Sequence, residues 1–182
     1  LLILNMRKSI LLLSLVVVAL SMNSCFNNLE SHTTPQIMFG HVYVNPQFSN
    51  DTLISAKDTL LDKYNYELGL SYLDTMQLGD TVMFNSLFSS DMNNLVNITA
   101  SFDTVNVQLW FGLDVNDEKI KNALASGSRP EKGVLNFNPM YNMVTFPIYI
   151  VPQKTGVHAI KITVTSDSKY PTNSAPFMLP VK

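Results

Sequence analysis

One aromatic and two amide side chains share a face of a single stretch of this sequence. From Val105 to Leu113 apolar residues occupy every second position, which predicts a β-strand with one buried face. Trp110 is out of phase with that face and lies on the other one, together with Asn106 and Gln108. An indole ring can stack on a sugar while amides hydrogen-bond to its hydroxyls, so we predict a ligand site here. The alternative is that a neighbouring helix covers this face and buries Trp110.

Five threonines that follow an aspartate and precede an apolar residue form a second pattern with a chemical meaning. They are Thr52, Thr59, Thr75, Thr81 and Thr104. In a chain with ten aspartates, roughly one such triplet is expected by chance. The pattern resembles the O-glycosylation acceptor motif of exported Bacteroidetes proteins, and a glycan would add bulk and solubility at a loop. Equally, Asp-Thr suits turns that lead into strands, because the aspartate side chain bonds nearby backbone N–H groups.

The N-terminal segment has the three parts of a secretory signal. Arg7 and Lys8 provide positive charge, residues 10–20 are apolar apart from one serine, and small residues lead to Cys25. The apolar run is shorter than the roughly 20 residues that a membrane span needs. We take Met6 as the start of translation and predict that residues 1–25 form a signal peptide ending at Cys25.

Cys25 is the single cysteine of the chain, so it has no partner for an internal disulfide. Met22 and Ser24 occupy the positions that an aliphatic and a small residue take in a bacterial lipobox. The segment resembles the signals of uncharacterised Bacteroidetes lipoproteins, which implies acyl chains such as palmitate on Cys25 and attachment to the outer membrane. The residues after Cys25 do not indicate the periplasmic or the cell-surface face. The alternative is an ordinary cleaved signal with a free cysteine nearby.

The rest of the chain is expected to form one domain after a tether. Residues 26–35 are polar without periodicity, which predicts a flexible tether, and residues 36–182 alternate apolar and polar residues between turn signals. About seven to nine such strands predict a single all-β domain, an antiparallel β-sandwich. The stretch from Thr155 to Val164 resembles the F strand of immunoglobulin-like sandwiches, although His158 stands where those domains have a tyrosine.

One short helix and one proline interrupt the strand pattern. Asn116 is the expected N-cap of the helix, residues 117–126 contain its apolar face, and Gly127 suits the position after its end. Pro147 lies inside a strand pattern and lacks the N–H that a ladder needs. It therefore predicts an edge strand or a bulge.

The remaining reactive residues do not form a recognisable metal, cofactor or catalytic site. His32, His41 and His158 lack metal-ligand spacing, and His158 is in phase with buried residues, which predicts an inward imidazole with one hydrogen-bond partner. The acidic run from Asp114 to Glu118 lacks the glycine of a calcium loop, and helix capping explains it better. Short motifs of hydrolases and phosphate-binding loops are also missing from the sequence. We therefore expect no cofactor, no metal and no enzymatic activity.

The charge of the chain argues against a nucleic-acid partner. Without Arg7 and Lys8 the chain has 10 basic and 14 acidic residues, a net charge of −4, and it has no basic patch. A lipid-anchored envelope module for binding or adhesion, with carbohydrate or protein as ligand, is the favoured function. The alternative is an assembly subunit that adds a strand at the Pro147 strand or the C-terminal strand. A carbohydrate-active hydrolase is less favoured, because it needs two carboxylates across a cleft.

Overall fold

A computed structural model of the chain describes residues 33–49, 52–59, 63–65 and 70–182. For residues 52–59, 63–65, 70 and 71 the backbone alone is described. The predicted signal peptide, Cys25 and most of the predicted tether lie outside the described residues. Within the described part, no helix has the length and apolar character needed to cross a membrane.

Strands dominate the described chain, and eight of them have five residues or more. The strands are β1 (Gln36–Ser49), β2 (Thr52–Thr59), β3 (Lys63–Asn65), β4 (Leu70–Tyr72), β5 (Val82–Ser89), β6 (Leu95–Ser101), β7 (Val107–Phe111), β8 (Val134–Asn136), β9 (Met143–Pro152), β10 (Gly156–Ser166) and β11 (Thr172–Val181). Helical structure in this part is confined to α1 (Glu118–Ala123) and a 3₁₀ turn (Pro130–Lys132).

The strands form two sheets in the order β2-β1-β5-β9-β7 and β3-β4-β11-β10-β6-β8. Neighbours are antiparallel except for β4, which pairs in parallel with β11. The series β1-β5-β9-β7 matches the A-B-E-D sheet of an immunoglobulin-like sandwich, and β11-β10-β6 matches its G-F-C sheet. The predicted all-β sandwich with one short helix is therefore confirmed. The stretch from Thr155 to Val164, predicted to resemble an F strand, forms most of β10 between β11 and β6.

The core lies between the sheets and is joined across them by aromatic rings. Phe84 on β5 packs against Phe177 on β11 with ring centroids 5.1 Å apart, and against Phe39 on β1 at 5.4 Å. Alternate residues of β7, β9 and β10 are buried, as the period of two predicts for strands with one face on the core, and β5 departs from this pattern only in that Met83 is also buried. Burial of this apolar surface is the main source of stability.

His158 ties the start of β10 to the loop before it. Its side chain is buried, and its Nε2 lies 2.7 Å from the Lys154 carbonyl oxygen. Because a carbonyl only accepts, Nε2 carries the proton. A tyrosine in immunoglobulin-like domains makes a corresponding bond from the F strand to the backbone a few residues upstream. The predicted inward imidazole with one hydrogen-bond partner is confirmed.

Replacing His158 with alanine is expected to lower the free energy of unfolding by about 2–3 kcal/mol. The substitution removes a buried ring and leaves the Lys154 carbonyl without its donor. Denaturant unfolding followed by circular dichroism measures this change. His158→Tyr is expected to restore most of the loss, and the exposed His41→Ala to cost within about 0.5 kcal/mol. Equal losses of stability in His158→Ala and His41→Ala would show that His158 does not hold the start of β10 to the loop before it.

The predictions for Pro147 and for the edge strands are wrong. The Pro147 strand is β9, which lies between β5 and β7, and the C-terminal strand β11 lies between β4 and β10. Pro147 is tolerated because its carbonyl accepts the Gly112 N–H at 2.7 Å, so its ring nitrogen points to the same side. Pairing with β7 ends there at Phe111, and no ladder donor is lost. These neighbours cover the two strands only in part, since β7 pairs with Ile148–Pro152 of β9 and β4 with Phe177 and Met178 of β11.

The helix is shorter than predicted and begins one residue later. Asp117, not Asn116, is the N-cap, and its carboxylate accepts the Lys119 N–H at 2.7 Å. The helix ends at Ala123, well before Gly127, because a tertiary partner occupies its last carbonyls. Asn138 donates its backbone N–H to the Ala123 oxygen at 2.9 Å and its amide to the oxygens of two neighbouring residues.

Candidate ligand-binding groove

The two faces of β7 are divided as the sequence predicts. Val107, Leu109 and Phe111 are buried in the core. Gln108 is exposed and Trp110 is half-buried on the outer face of the sheet. β7 is the outermost strand of its sheet, so these two side chains lie at an edge of the domain.

Tyr149, rather than a helix, covers one face of Trp110. The two residues are directly opposed on β7 and β9, and their rings stack with centroids 5.2 Å apart and planes 12° apart. Burial raises the pKa of the Tyr149 phenol above its usual value. Because one indole face lies on the tyrosine of the inner strand, the other face is turned away from β9, over the edge of the sheet. The predicted alternative, burial of Trp110 under the helix, is therefore not what occurs.

A groove of about 590 Å³ lies against this edge. Its lining residues are Phe102, Thr104, Val107, Gln108, Leu109, Trp110, Glu131 and Lys132. The aromatic wall is contributed by β7, and the charged wall by the 3₁₀ turn Pro130–Lys132. The groove thus combines an aromatic ring with a hydroxyl, an amide, a carboxylate and an ammonium group, which are the donors and acceptors that a polyhydroxylated ligand requires.

Gly133 allows the charged wall to approach β7. It has a left-handed φ of 66°, and a Cβ at this position would lie 2.8 Å from the Cβ of Ala100 and 3.0 Å from Cδ2 of Leu109. Ala100 is on β6 and Leu109 on β7, so the glycine sits where the two sheets come together. Only a residue without a side chain fits this close approach and this φ. The position of Glu131 and Lys132 therefore depends on Gly133.

Asn106 has a different role from the one predicted for it. It lies in the turn before β7, half-buried, and its amide nitrogen donates to the Asp103 carboxylate at 2.6 Å. The same carboxylate accepts the Val105 N–H at 3.0 Å. The hydrogen bonds from the Asn106 side chain and from Val105 hold the pKa of Asp103 below its usual value. The structure thus brings Trp110 and Gln108 to the groove, while the amide nitrogen of Asn106 is used to hold the turn.

Sequence reasoning missed several residues of this site. Tyr149 carried the same signal as Trp110, an aromatic residue out of phase with a buried alternation, and could have been found. Glu131 and Lys132 gave no signal, because the loop that carries them reaches β7 only in the tertiary structure. Gly112 also escaped notice, although a Cβ there would lie 2.6 Å from Cε2 of Tyr149 and 2.8 Å from Cγ of Pro147.

Gly112→Ala is expected to displace the Tyr149 ring and disturb its stack with Trp110. A contact of 2.6 Å has to be relieved by movement of the ring, at a cost of about 1–3 kcal/mol. The emission spectrum of Trp110 and the near-ultraviolet circular dichroism are expected to change. Gly40→Ala is the matched control, since its Cβ would meet Asn85 at an ordinary 3.5 Å. An unchanged Trp110 spectrum in Gly112→Ala would show that the stack does not need the glycine.

The threonines of the Asp-Thr triplets differ in accessibility. Thr75 and Thr104 are exposed and Thr81 is half-buried. Thr52 and Thr59 lie on β2, and their side chains are outside the described part of the chain. Turn capping by aspartate occurs at Asp103, as described above, so local structure accounts for at least that triplet. Glycosylation at these threonines stays a prediction.

The other candidates for chemistry have structural partners. His41 stacks on Tyr43 with centroids 5.9 Å apart, and His32 lies outside the described residues. Asp114 accepts the Asn116 N–H at 2.9 Å, so the acidic run serves the turn and the helix cap. Among the described residues, no group of three or more histidine, cysteine, aspartate or glutamate side chains could hold a metal ion.

Comparison with known proteins gives little further information. No family model and no curated protein matches the chain. Among solved structures, the chain is similar to part of a family 123 glycoside hydrolase from Clostridium perfringens, described for hydrolysis of glycolipid glycans. The identity is 18% and the TM-score 0.40, over 82% of this chain and 27% of the hydrolase. At that level of similarity, function has to be argued from the groove itself.

Proposed function

We propose that this protein is a lipid-anchored module of the cell envelope that binds carbohydrate in the groove beside β7. The observation that carries the proposal is that Trp110, stacked on Tyr149 and half-buried, lines a groove together with Gln108, Glu131 and Lys132. A pyranose ring has an apolar C–H face that packs on an aromatic ring, and hydroxyls around its rim that bond to polar groups. The groove offers both kinds of contact within about 590 Å³, a volume typical of ligand sites.

The chemistry of the lining favours binding over hydrolysis. Of the residues that line the groove, Glu131 alone carries a carboxylate. Glycosidases generally use two carboxyl groups, about 5–9.5 Å apart, one as acid and the other as nucleophile or base. A single carboxylate beside Lys132 is suited to accept hydrogen bonds from hydroxyls. We therefore propose a non-catalytic role, with capture or retention of glycan at the envelope.

The anchor part of the proposal rests on Cys25 and its signal sequence. Acyl chains on Cys25 would hold the groove at the outer membrane and raise its local concentration near envelope or external glycans. Protease shaving of intact cells, followed by mass spectrometry, distinguishes the two faces of the membrane. Release of peptides from residues 134–154 would place the domain outside the cell, and the ligand would then be a glycan of the surroundings. Protection until the outer membrane is permeabilised would indicate a periplasmic glycan.

The single tryptophan makes the carbohydrate proposal directly testable. Trp110 is the only tryptophan of the chain, so its emission reports on the groove without interference from other indoles. An array of bacterial and host oligosaccharides identifies candidates, and each is then titrated while Trp110 emission is recorded. We expect saturable quenching or a shift of the emission maximum for at least one glycan. No binding on the array, or binding that leaves Trp110 emission unchanged, would overturn the proposal for this groove.

A further inference from the structure

The point where the chain enters the sandwich defines one end of the domain, here called the entry end. It carries Gln36 at the start of β1, Ser89 at the end of β5 and Met143 at the start of β9, which are cross-strand partners in that order. The Asn173 side chain donates to the Pro35 carbonyl oxygen at 2.9 Å and fixes the entering chain.

Three highly exposed methionines project from the entry end. Met92, Met140 and Met143 are 80%, 88% and 61% exposed, respectively. Single exposed apolar residues are common on protein surfaces. These three lie on two adjoining segments, because the Ser90 N–H donates to the Asn142 oxygen at 2.9 Å and the Asn142 amide bonds the Asp91 oxygen. Methionine is a flexible apolar side chain that adapts to irregular apolar surroundings.

Asn94 holds the segments that carry these methionines. Its backbone N–H and its amide nitrogen donate to the two oxygens of Asp167 at 2.7 and 2.8 Å. Its side-chain oxygen accepts the Met140 N–H at 3.0 Å. The turn before β6, the segment before β9 and the β10–β11 hairpin are thus joined at one residue. The methionines are displayed by a braced surface and not by a free loop.

The backbone of Met140 is strained, and contacts of its side chain within the fold do not compensate for this strain. Its φ is +94°, a conformation that residues other than glycine rarely adopt. Such strain is usually retained where a function needs the side chain at that place. The Met140 side chain is 88% exposed, so it is available to a partner outside the domain.

We infer that Met92, Met140 and Met143 contact the phospholipid bilayer that carries the lipid anchor. The inference rests on the proposed lipidation of Cys25. The ten residues from Phe26 to Pro35 can span at most about 36 Å. The entry end is therefore held within reach of the bilayer. The opposite end of the sandwich lies a ten-residue strand, about 33 Å, from the entry end.

Val105 and Val157 at the opposite end provide a matched control. They are 82% and 58% exposed, so they resemble the methionines in exposure but not in position. In the lipidated chain the one native thiol would carry the diacylglyceryl group as a thioether, so a single introduced cysteine could be labelled with an environment-sensitive fluorophore. The labelled variants are Met92→Cys, Met140→Cys, Val105→Cys and Val157→Cys, each reconstituted in phosphatidylethanolamine–phosphatidylglycerol vesicles.

Labels at positions 92 and 140 are expected to shift to shorter wavelength and to be quenched by spin-labelled lipids, unlike labels at 105 and 157. Equal quenching at both ends, or none at the entry end, would overturn the inference while leaving glycan binding untouched. A shift that depends on protein density and not on the quencher lipid indicates contact between copies and would also overturn it. Lack of acyl mass on Cys25 would overturn the anchor and this inference together.

Met140→Asn separates membrane contact from folding. Asparagine tolerates positive φ better than methionine, so the variant is expected to melt at the same temperature or higher. Combined with Met92→Gln and Met143→Gln, it is expected to make the entry end more accessible to protease on vesicles. Val105→Gln and Val157→Gln, at the opposite end, are expected to have no effect on cleavage at the entry end. Unchanged cleavage in the triple variant would contradict the inference.

Discussion

Trp110→Ala is expected to weaken binding of the groove's carbohydrate ligand about 30-fold or more. The substitution removes the aromatic wall of the groove, and truncation of a central tryptophan at a binding site typically costs about 2 kcal/mol or more. A loss of about 2 kcal/mol corresponds to about 30-fold in affinity. Isothermal titration calorimetry is the appropriate measurement, since the variant has no tryptophan emission. The ligand is the glycan identified on the array.

Tyr43→Ala is the matched control for this prediction. Tyr43 belongs to the same cross-strand row as Trp110 through Met83 and Tyr149, but it does not line the groove. Its removal is expected to leave affinity within about twofold, a change of about 0.4 kcal/mol. Trp110→Phe is expected to fall between the wild type and Trp110→Ala. Equal losses from Tyr43→Ala and Trp110→Ala would indicate that the ligand lies on the sheet face and not in the groove.

The loss of binding in Trp110→Ala can be assigned to the groove only if the variant remains folded. Loss of the stack with Tyr149 is expected to cost about 0.5–1.5 kcal/mol beyond the lost burial, because Trp110 is only half-buried. Thermal unfolding monitored by circular dichroism checks this for both variants. A cooperative transition with a modest decrease in Tm, together with lost binding, is the expected combination.

Phe84→Ala is expected to lower the free energy of unfolding by about 3–5 kcal/mol. The ring is buried between the sheets and touches Phe39 and Phe177, so its removal leaves a cavity that joins both sheets. Domains of this size are stable by about 5–15 kcal/mol. With one cysteine in the chain, no internal disulfide adds to that stability. Loss of this one ring can therefore leave the domain marginally folded.

Phe48→Ala is the control for the core prediction. Phe48 is on β1 of the same sheet and is 45% exposed, so its truncation is expected to cost within about 1 kcal/mol. Guanidinium unfolding followed by Trp110 emission and circular dichroism compares the two variants. A loss of less than about 2 kcal/mol in Phe84→Ala would mean that the core collapses around the missing ring.

Local pattern was sufficient for the architecture but not for the edges of the sheets. The period of two in β7, β9 and β10 correctly predicted which residues enter the core, and the inward position of His158 followed from its phase. Pro147 misled the prediction, because the sequence does not show that β7 ends where the missing N–H points. The helix was predicted too long for a similar reason: its early end depends on Asn138, which is distant in the sequence.

The sequence by itself determined the all-β class, the alternation that orients Trp110 and Gln108 outward, the expectation of export, and the lack of internal disulfides. These properties follow from residue type and short-range periodicity, which act within a few residues. Only the tertiary structure decided that Tyr149 covers one indole face, that Gly133 lets Glu131 and Lys132 line the same groove as Trp110, and that Asn106 is used in a turn. Those outcomes depend on strand order and on close contacts between distant segments, and no local pattern encodes either.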